Sequence, residues 1–148
     1  MILVTGGTGL VGSHLLYNLT KKGLQVKAIY RESSNLDEVK RLFRFYNDDA
    51  EATYNRIEWV EADLSDYFAL ETALEGVKQV YHVAAMVSFN PGESDKMLET
   101  NTQGTANLMN ACIACKIEKV CYVSSIASLG KQIDGGTIDE QVEWQPDD

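Results

Sequence analysis

The spacing of apolar residues changes repeatedly along the chain, from short consecutive runs to intervals of three and four positions. The run Ile2–Val4 is typical of a buried strand, whereas the apolar residues of 10–19 recur at helical spacing. The same alternation predicts five strands, at 2–4, 26–30, 57–61, 79–83 and 119–123. It predicts four helices, at 10–22, 36–46, 66–74 and 93–116. We interpret the polar stretch 47–55 as a loop.

Regular alternation of strands and helices packs most economically as a parallel sheet with helices on both faces. Right-handed crossover connections then place the strands in the order 3-2-1-4-5. The sequence therefore predicts an α/β fold, a doubly wound parallel sheet with five strands within this chain.

Residues with characteristic roles at helix ends support these boundaries. Gly23 and Gly76 follow the first and third helices, where a C-cap glycine is expected. Asn35 and Ser65 precede the second and third helices and are the predicted N-caps.

Closely spaced glycines separate the first strand from the first helix. Gly6 allows a sharp turn with a positive φ, Gly9 leaves no Cβ in the way of a pyrophosphate, and Gly12 allows close packing of the helix on the strand. The free N–H groups of the first helical turn attract an anion. A strand, a glycine turn and a helix in this order predict a dinucleotide site, with a purely steric turn as the alternative.

The end of the second strand bears on which dinucleotide is bound. An acidic residue about 20 positions beyond the glycines holds the ribose of NAD, whereas an arginine there accommodates the 2′-phosphate of NADP. Tyr30 stands where the carboxylate is expected, Arg31 follows, and Ser33 and Ser34 add hydroxyl groups. This pattern favours NADP, while Glu32 keeps NAD open.

The composition excludes several function classes. The 148 residues carry a net charge of -9, which argues against binding to nucleic acid or to an anionic membrane surface. No apolar run approaches the roughly 20 residues of a membrane span. Met1 leads directly into a strand, so we expect no signal peptide and a cytoplasmic location.

The three cysteines, Cys112, Cys115 and Cys121, include one CxxC pair. Because no second pair and no pair of histidines accompanies it, we predict no metal site and interpret the cysteines as reduced structural residues.

Several segments together resemble the extended short-chain dehydrogenases/reductases, the NAD(P)-dependent epimerase/dehydratase superfamily, and most of all its dihydroflavonol-reductase-like branch. The segment Thr5–Gly12 resembles the family's cofactor motif, and Asp63 with Leu64 resembles its acidic position near the adenine. The remaining matching segments are His82–Ala85, Asn101–Thr105 and Tyr122–Gly130. Glycine inside a helix, as at Gly104, additionally predicts close packing there.

The resemblance implies a Rossmann-like, NAD(P)-binding domain over residues 1–130, with residues 131–148 leading toward a catalytic and substrate-binding part. It implies that Ser125 assists catalysis. The cofactor contacts that it implies are Gly6, Thr8, Gly9, Leu10, Val11, Gly12, Tyr30, Arg31, Asp63, Leu64, Val83, Ala84, Ala85 and Val123. The implied partners are a small-molecule substrate and, for the full-length parent, a second copy in a homodimer, with an apolar face of the long helix around Ala106, Met109 and Ile113.

One expected catalytic feature is absent from the sequence. The family transfers protons through a Tyr-x-x-x-Lys pair, and the only such spacing here joins Tyr17 to Lys21 on the first helix, which we interpret as coincidence. We therefore expect this chain to be the amino-terminal part of a longer reductase, epimerase or dehydratase, inactive by itself. An NADP-sensing regulator without catalysis and a flavodoxin-like FMN module are the alternatives. The apolar residues among Met86–Phe89 disfavour a sugar nucleotide as substrate.

Overall fold

A computed structural model describes residues 1–46, 49–129, 137–139 and 141–142. Five strands alternate with helices along this part of the chain. The strands are β1 (Ile2–Thr5), β2 (Val26–Tyr30), β3 (Ile57–Glu61), β4 (Gln79–His82) and β5 (Lys119–Tyr122). The helices are α1 (Leu10–Lys21), α2 (Leu36–Tyr46), α3 (Ala50–Tyr54), α4 (Tyr67–Ala73) and α5 (Ser94–Ala114), with short 3-10 turns at Pro91–Glu93 and Ile126–Ser128.

The strands form one parallel sheet in the order β3-β2-β1-β4-β5. In the centre of the sheet, Ile2 pairs with both Val26 of β2 and Gln79 of β4. The chain therefore reverses direction across the sheet between β3 and β4, which leaves a crevice at the carboxyl ends of β1 and β4. The predicted α/β fold and strand order are confirmed, and the shared strands and helices end within two residues of their predicted limits.

Successive residues of β1 point to opposite faces of the sheet and divide the core into two layers. Leu3 packs with Leu70 and Leu108, on the side of α4 and α5. Val4 packs with Leu16 and Phe43, on the side of α1, α2 and α3. Both faces of the sheet are thereby covered, in agreement with the continuous apolar run Ile2–Val4 in its middle strand, β1.

Two local predictions were wrong. The stretch 47–55 was predicted as a loop, but it contains α3, whose Ala50 and Thr53 are 6% and 8% exposed and pack toward the core. A helix of one turn buries too few residues to show an apolar period in the sequence. The N-cap of α4 is Asp66, which accepts a hydrogen bond from Ala69 N at 3.0 Å, and not Ser65.

The other predicted helix ends are confirmed. Asn35 Oδ1 accepts a hydrogen bond from Asp37 N at 3.1 Å in the first turn of α2. Gly23 and Gly76 follow α1 and α4 with φ angles of 81° and 72°.

No helix within the described part of the chain is long and apolar enough to cross a membrane. The same residues contain no group of three or more His, Cys, Asp or Glu side chains that could hold a metal ion.

Candidate functional site: a nucleotide cleft at the carboxyl edge of the sheet

The glycine turn after β1 is a compact, hydrogen-bonded structure. Gly6 has a φ of 70°, as the turn was predicted to require, and its carbonyl accepts a hydrogen bond from Gly9 N at 3.0 Å. Gly9 is the N-cap residue of α1 and, lacking a side chain, caps none of the N–H groups of the first turn. Those groups are therefore available to an anion, which the helix dipole also attracts.

The turn lies in direct contact with the segment that follows β4. A Cβ placed on Gly6 would lie 2.6 Å from Ala84 N, which is closer than real Cβ contacts approach. A Cβ on Gly12 would lie 2.1 Å from Gly6 O, so this glycine allows α1 to pack on the turn itself. Both positions need glycine because backbone atoms, which cannot move aside independently, occupy the space.

A cleft of about 270 Å³ opens beside the turn, between the ends of β1, β2, β3 and β4 and the first half of α5. Its lining includes many of the residues predicted to contact a cofactor. These are Gly6, Thr8, Gly9, Tyr30, Arg31, Asp63, Leu64, Val83, Ala84 and Ala85.

The remaining predicted residues lie outside the cleft lining. Leu10 and Val11 are 76% and 56% exposed at the start of α1, where the backbone N–H groups of the first turn have no partner within the helix. Gly12 is buried against the turn. Val123 and Ser125 are exposed beyond the end of β5, next to the cleft wall formed by β4.

The lining also contains Ser34, one of the two serines predicted to add hydroxyl groups beside Arg31. For five further lining residues the sequence predicted no cofactor contact: Ile29, Ala62, Met86, Thr100 and Asn101. Asn101 belongs to a segment that resembles the family's long helix, and this resemblance was the available signal. Ile29 and Ala62 are buried core residues at the ends of β2 and β3, and only the strand register identifies them.

The turn after β2 presents Arg31 and Ser34 to the cleft. Arg31 N donates a hydrogen bond to Ser34 Oγ at 3.0 Å, and Ser34 N donates to Arg31 O at 2.8 Å. Because the Ser34 hydroxyl oxygen accepts this bond, its proton remains for another acceptor. Glu32 and Ser33 do not line the cleft but an adjoining groove, which Arg31, Ala62 and Asp63 also line.

Asp63 follows β3 and lines the cleft together with Arg31. Its Oδ1 accepts hydrogen bonds from Ser65 N at 2.8 Å and Ser65 Oγ at 2.7 Å. These bonds, above all the backbone one, together with the positive charge of Arg31, outweigh desolvation and hold the pKa of Asp63 below its ordinary value. The cleft therefore contains an ionised carboxylate and a guanidinium close together.

Helix α5 forms the floor of the cleft and fixes two of its edges. Asn101 pairs with both backbone groups of Met86, at 2.7 Å from Met86 N to Oδ1 and 2.9 Å from Nδ2 to Met86 O. Gly104 packs against Leu64, whose Cβ would lie 2.9 Å from a Cβ at position 104, as the glycine within the helix predicted. Asn107 Nδ2 donates to Leu64 O at 2.9 Å.

Known proteins with similar sequences and structures identify the family of this chain. The family model described as GDP-mannose 4,6 dehydratase matches residues 3–148. A Synechocystis sp. protein provisionally named dihydroflavonol 4-reductase is 34% identical over 137 residues, which cover 93% of this chain and 36% of that protein. This chain belongs to the extended short-chain dehydrogenases/reductases.

Two further members show the range of this family. The anthocyanidin reductase of Vitis vinifera is 31% identical to this chain over 145 residues, which cover 95% of this chain and 41% of the reductase. The crystal structure of UDP-glucose 4-epimerase from Stenotrophomonas maltophila, with bound NAD and formylated UDP-arabinopyranose, has a TM-score of 0.79 and 26% identity. It matches 97% of this chain and 42% of that chain. This extended short-chain dehydrogenase/reductase chain thus spans less than half the length of the relatives that it matches.

The chain's membership confirms the predicted resemblance, and the family depends on NAD(P). The cleft fits such a cofactor on structural grounds alone. A side chain at Gly6 would collide with Ala84, and the first turn of α1 offers backbone N–H groups beside an opening lined by Thr8 and Gly9. Bare backbone and uncapped N–H groups at a helix start are the features that a pyrophosphate-containing nucleotide requires.

Proposed function

We propose that this chain is the cofactor-binding part of an NADP-preferring oxidoreductase that acts on a carbonyl or hydroxyl group of a small molecule. When bound, the cofactor supplies the centre for hydride transfer. The observation that carries the proposal is the position of Arg31, which lines the nucleotide cleft directly after β2.

The roles proposed for the residues follow their positions in the cleft. The turn at Gly6, Thr8 and Gly9, with the N–H groups of Leu10, Val11 and Gly12, holds the pyrophosphate. Asp63 and Leu64 lie against the adenine end. Ala84 and Ala85 leave space for the cofactor beyond the turn, and Val123 and Ser125 lie toward the reacting end, where Ser125 assists catalysis.

The preference for NADP over NAD rests on the turn after β2. A 2′-phosphate needs a cation and hydroxyl donors, which Arg31 and Ser34 provide on the cleft side of the turn. A 2′-hydroxyl needs a carboxylate acceptor there instead. Glu32, the residue that kept NAD open, does not line the cleft but only the adjoining groove, which it shares with Arg31. Asp63 follows β3 and not β2, and its Oδ1 already accepts two hydrogen bonds from Ser65, so it is less well placed for that role.

The segment after β4 supports an apolar substrate. Val87 and Phe89 are 75% and 98% exposed next to Met86, which lines the cleft. Ser88 Oγ donates to Glu93 Oε2 at 2.5 Å, which holds this exposed apolar segment in place. Such a surface is better suited to a ring system of the flavonoid or steroid type than to a sugar nucleotide.

We also propose that the chain transfers no hydride by itself, because its single Tyr-x-x-x-Lys spacing cannot serve the cleft. Tyr17 is 5% exposed, packs edge-on against Phe43 and stacks on Tyr46 at 4.5 Å between ring centroids. For the full-length parent, a homodimer is supported by Leu98 and Ile113 on α5, which are 69% and 76% exposed. Ala106 is exposed as well, whereas Met109 packs partly against the core.

Titration of the chain with NADPH and NADH, before and after Arg31→Ala, tests the proposal. Loss of a hydrogen bond to a charged group weakens binding by about 1.5–3 kcal/mol, so NADPH affinity should fall roughly 10- to 150-fold. NADH affinity should remain nearly unchanged. Arg44→Ala is the matched control, because Arg44 is an exposed arginine of α2 outside the cleft. Equal losses for both cofactors in Arg31→Ala would remove the argument for NADP.

A further inference from the structure

Three side chains form a hydrogen-bonded chain behind the cleft: Thr5 at the end of β1, His82 at the end of β4 and Thr105 in α5. Thr5 Oγ1 lies 2.7 Å from His82 Nδ1, and His82 Nε2 lies 3.0 Å from Thr105 Oγ1. Thr5 is fully buried and His82 is 1% exposed. None of the three side chains lines the cleft, so the roles proposed above do not explain these hydrogen bonds.

The hydrogen bonds of Thr5 determine which ring nitrogen of His82 carries the proton. Thr5 Oγ1 accepts hydrogen bonds from Val83 N at 3.2 Å and from Ala84 N at 3.1 Å. A hydroxyl group has two acceptor lone pairs and one proton, so Thr5 must donate its proton to His82 Nδ1. The ring proton is therefore on Nε2, which donates to Thr105 Oγ1. Burial lowers the pKa of His82, in agreement with a neutral ring.

We infer that His82 is a positioning residue for the nucleotide cleft: as the neutral Nε2–H tautomer it ties the glycine turn, the segment after β4 and α5 together at a fixed separation. The geometric part of this inference is independent of the ligand, and its consequence for NADPH binding rests on the proposed function.

These hydrogen bonds fix the distance between the glycine turn and α5, and the cofactor would bind between these two elements. Gly6 directly follows Thr5, and a Cβ added to it would lie only 2.6 Å from Ala84 N. On the other side, Asn101 lies one helical turn before Thr105 and holds Met86 through two hydrogen bonds. The segment that forms one wall of the cleft is thus attached to the turn at one end and to α5 at the other.

Two substitutions at position 82 separate hydrogen bonding from space filling. His82→Asn keeps an acceptor oxygen at the position of Nδ1, because both atoms are two bonds from Cβ. His82→Leu keeps a similar volume but leaves the buried Thr5 proton without an acceptor. If His82 acts by hydrogen bonding, NADPH binding should weaken about tenfold in His82→Leu and less than about threefold in His82→Asn. Equal affinities in the two variants would show that His82 only fills space.

Nuclear magnetic resonance tests the geometry without any cofactor. In the ¹⁵N-labelled chain at neutral pH, we expect the His82 ring to show a protonated Nε2 and an unprotonated Nδ1. The Ala84 amide should exchange slowly in the wild-type chain and in His82→Asn, and faster in His82→Leu. A protonated Nδ1, or Ala84 exchange that is the same in all three proteins, would overturn the inference.

The two kinds of measurement separate this inference from the proposed function. A wild-type chain that does not bind NADPH would refute the function, while the tautomer and Ala84 exchange would still decide the role of His82. If His82→Leu fails to fold, Thr105→Val is the second variant: it removes the hydroxyl group that pairs with His82 Nε2 and changes the side-chain volume little. The Nε2–H resonance should then shift away from its hydrogen-bonded position and NADPH affinity should fall two- to fivefold, about the effect of one neutral hydrogen bond. An unchanged resonance would contradict the link to α5.

Discussion

Substitution of Gly12 by alanine tests whether α1 depends on its close contact with the glycine turn. A Cβ at this position would lie 2.1 Å from Gly6 O, 2.7 Å from Gly6 C and 2.9 Å from Gly7 Cα. All three are backbone atoms of the same turn, so no side-chain rotation relieves the collision. Either the first turn of α1 moves away from the glycine turn or the turn itself deforms.

The expected magnitude follows from two opposing effects. Alanine is a better helix former than glycine by roughly 0.5–1 kcal/mol, which would stabilise α1. Overpacking against rigid neighbours costs about 1–3 kcal/mol, and the three short contacts place Gly12→Ala at the upper end of that range. We therefore expect a net loss of about 2 kcal/mol in the free energy of unfolding, or roughly 4–8 °C in Tm for a domain of this size.

Urea unfolding followed by tryptophan fluorescence measures this loss, and Gly9→Ala is the matched control. A Cβ on Gly9 would lie 3.4 Å from Gly6 O, an ordinary contact, and the φ of -82° suits alanine. Gly9→Ala should lose less than about 1 kcal/mol of stability, the range for an N-cap change, yet bind NADPH more weakly because its methyl group faces the nucleotide. A Gly12→Ala chain as stable as wild type, or more stable, would refute the collision argument.

Two other substitutions test the ends of α4 and the charge state of the cleft. Asp66→Ala should reduce the free energy of unfolding by about 1 kcal/mol through loss of the N-cap bond to Ala69 N, as measured in urea. For Asp63, the pKa measured by nuclear magnetic resonance should lie below its ordinary value of 3.8 and should rise in Ser65→Ala, which removes one of its hydrogen bonds. Because the folded-state pKa is depressed, ionised Asp63 stabilises the fold above its ordinary pKa, and this contribution disappears as the pH falls through the folded-state value. The unfolding free energies of wild type and Asp63→Asn should accordingly converge in acid; a constant difference between them would contradict the role assigned to the Ser65 bonds.

The arrangement of the sheet could be predicted from the sequence because buried parallel strands leave continuous apolar runs. The order of those strands follows from the handedness of the crossovers and not from particular side chains. Lys27 shows the limit of this reasoning. It is 9% exposed in the middle of β2, where an apolar residue is expected, and its Nζ donates to Glu75 O at 2.8 Å beyond the end of α4. That partner is 48 positions away and leaves no local signal.

The candidate site likewise contains some residues that the sequence could predict and others that it could not. Residues near the glycine turn and at the ends of strands could be predicted because motif and topology both locate them. Leu10 and Val11 stand at the start of α1 as predicted, but their cofactor contacts remain predictions, because a helix start offers backbone N–H groups whatever its side chains are. The choice between Ser65 and Asp66 as the cap of α4 depended on where Leu70 meets the core. Two adjacent capping residues cannot be ranked without that packing.

The pairing of β1 with β4 has a consequence for the order in which the protein folds. Thr5 and His82 are 77 positions apart, and the Thr105 hydroxyl completes their chain of hydrogen bonds. Closing so long a loop is entropically unfavourable until the intervening β2 and β3 units have collapsed, so this pairing forms late. During synthesis, the glycine turn leaves the ribosome well before α5, which completes the cleft. The cleft is therefore assembled from segments that are synthesised far apart in time, and the nascent protein has no complete cleft before α5 emerges.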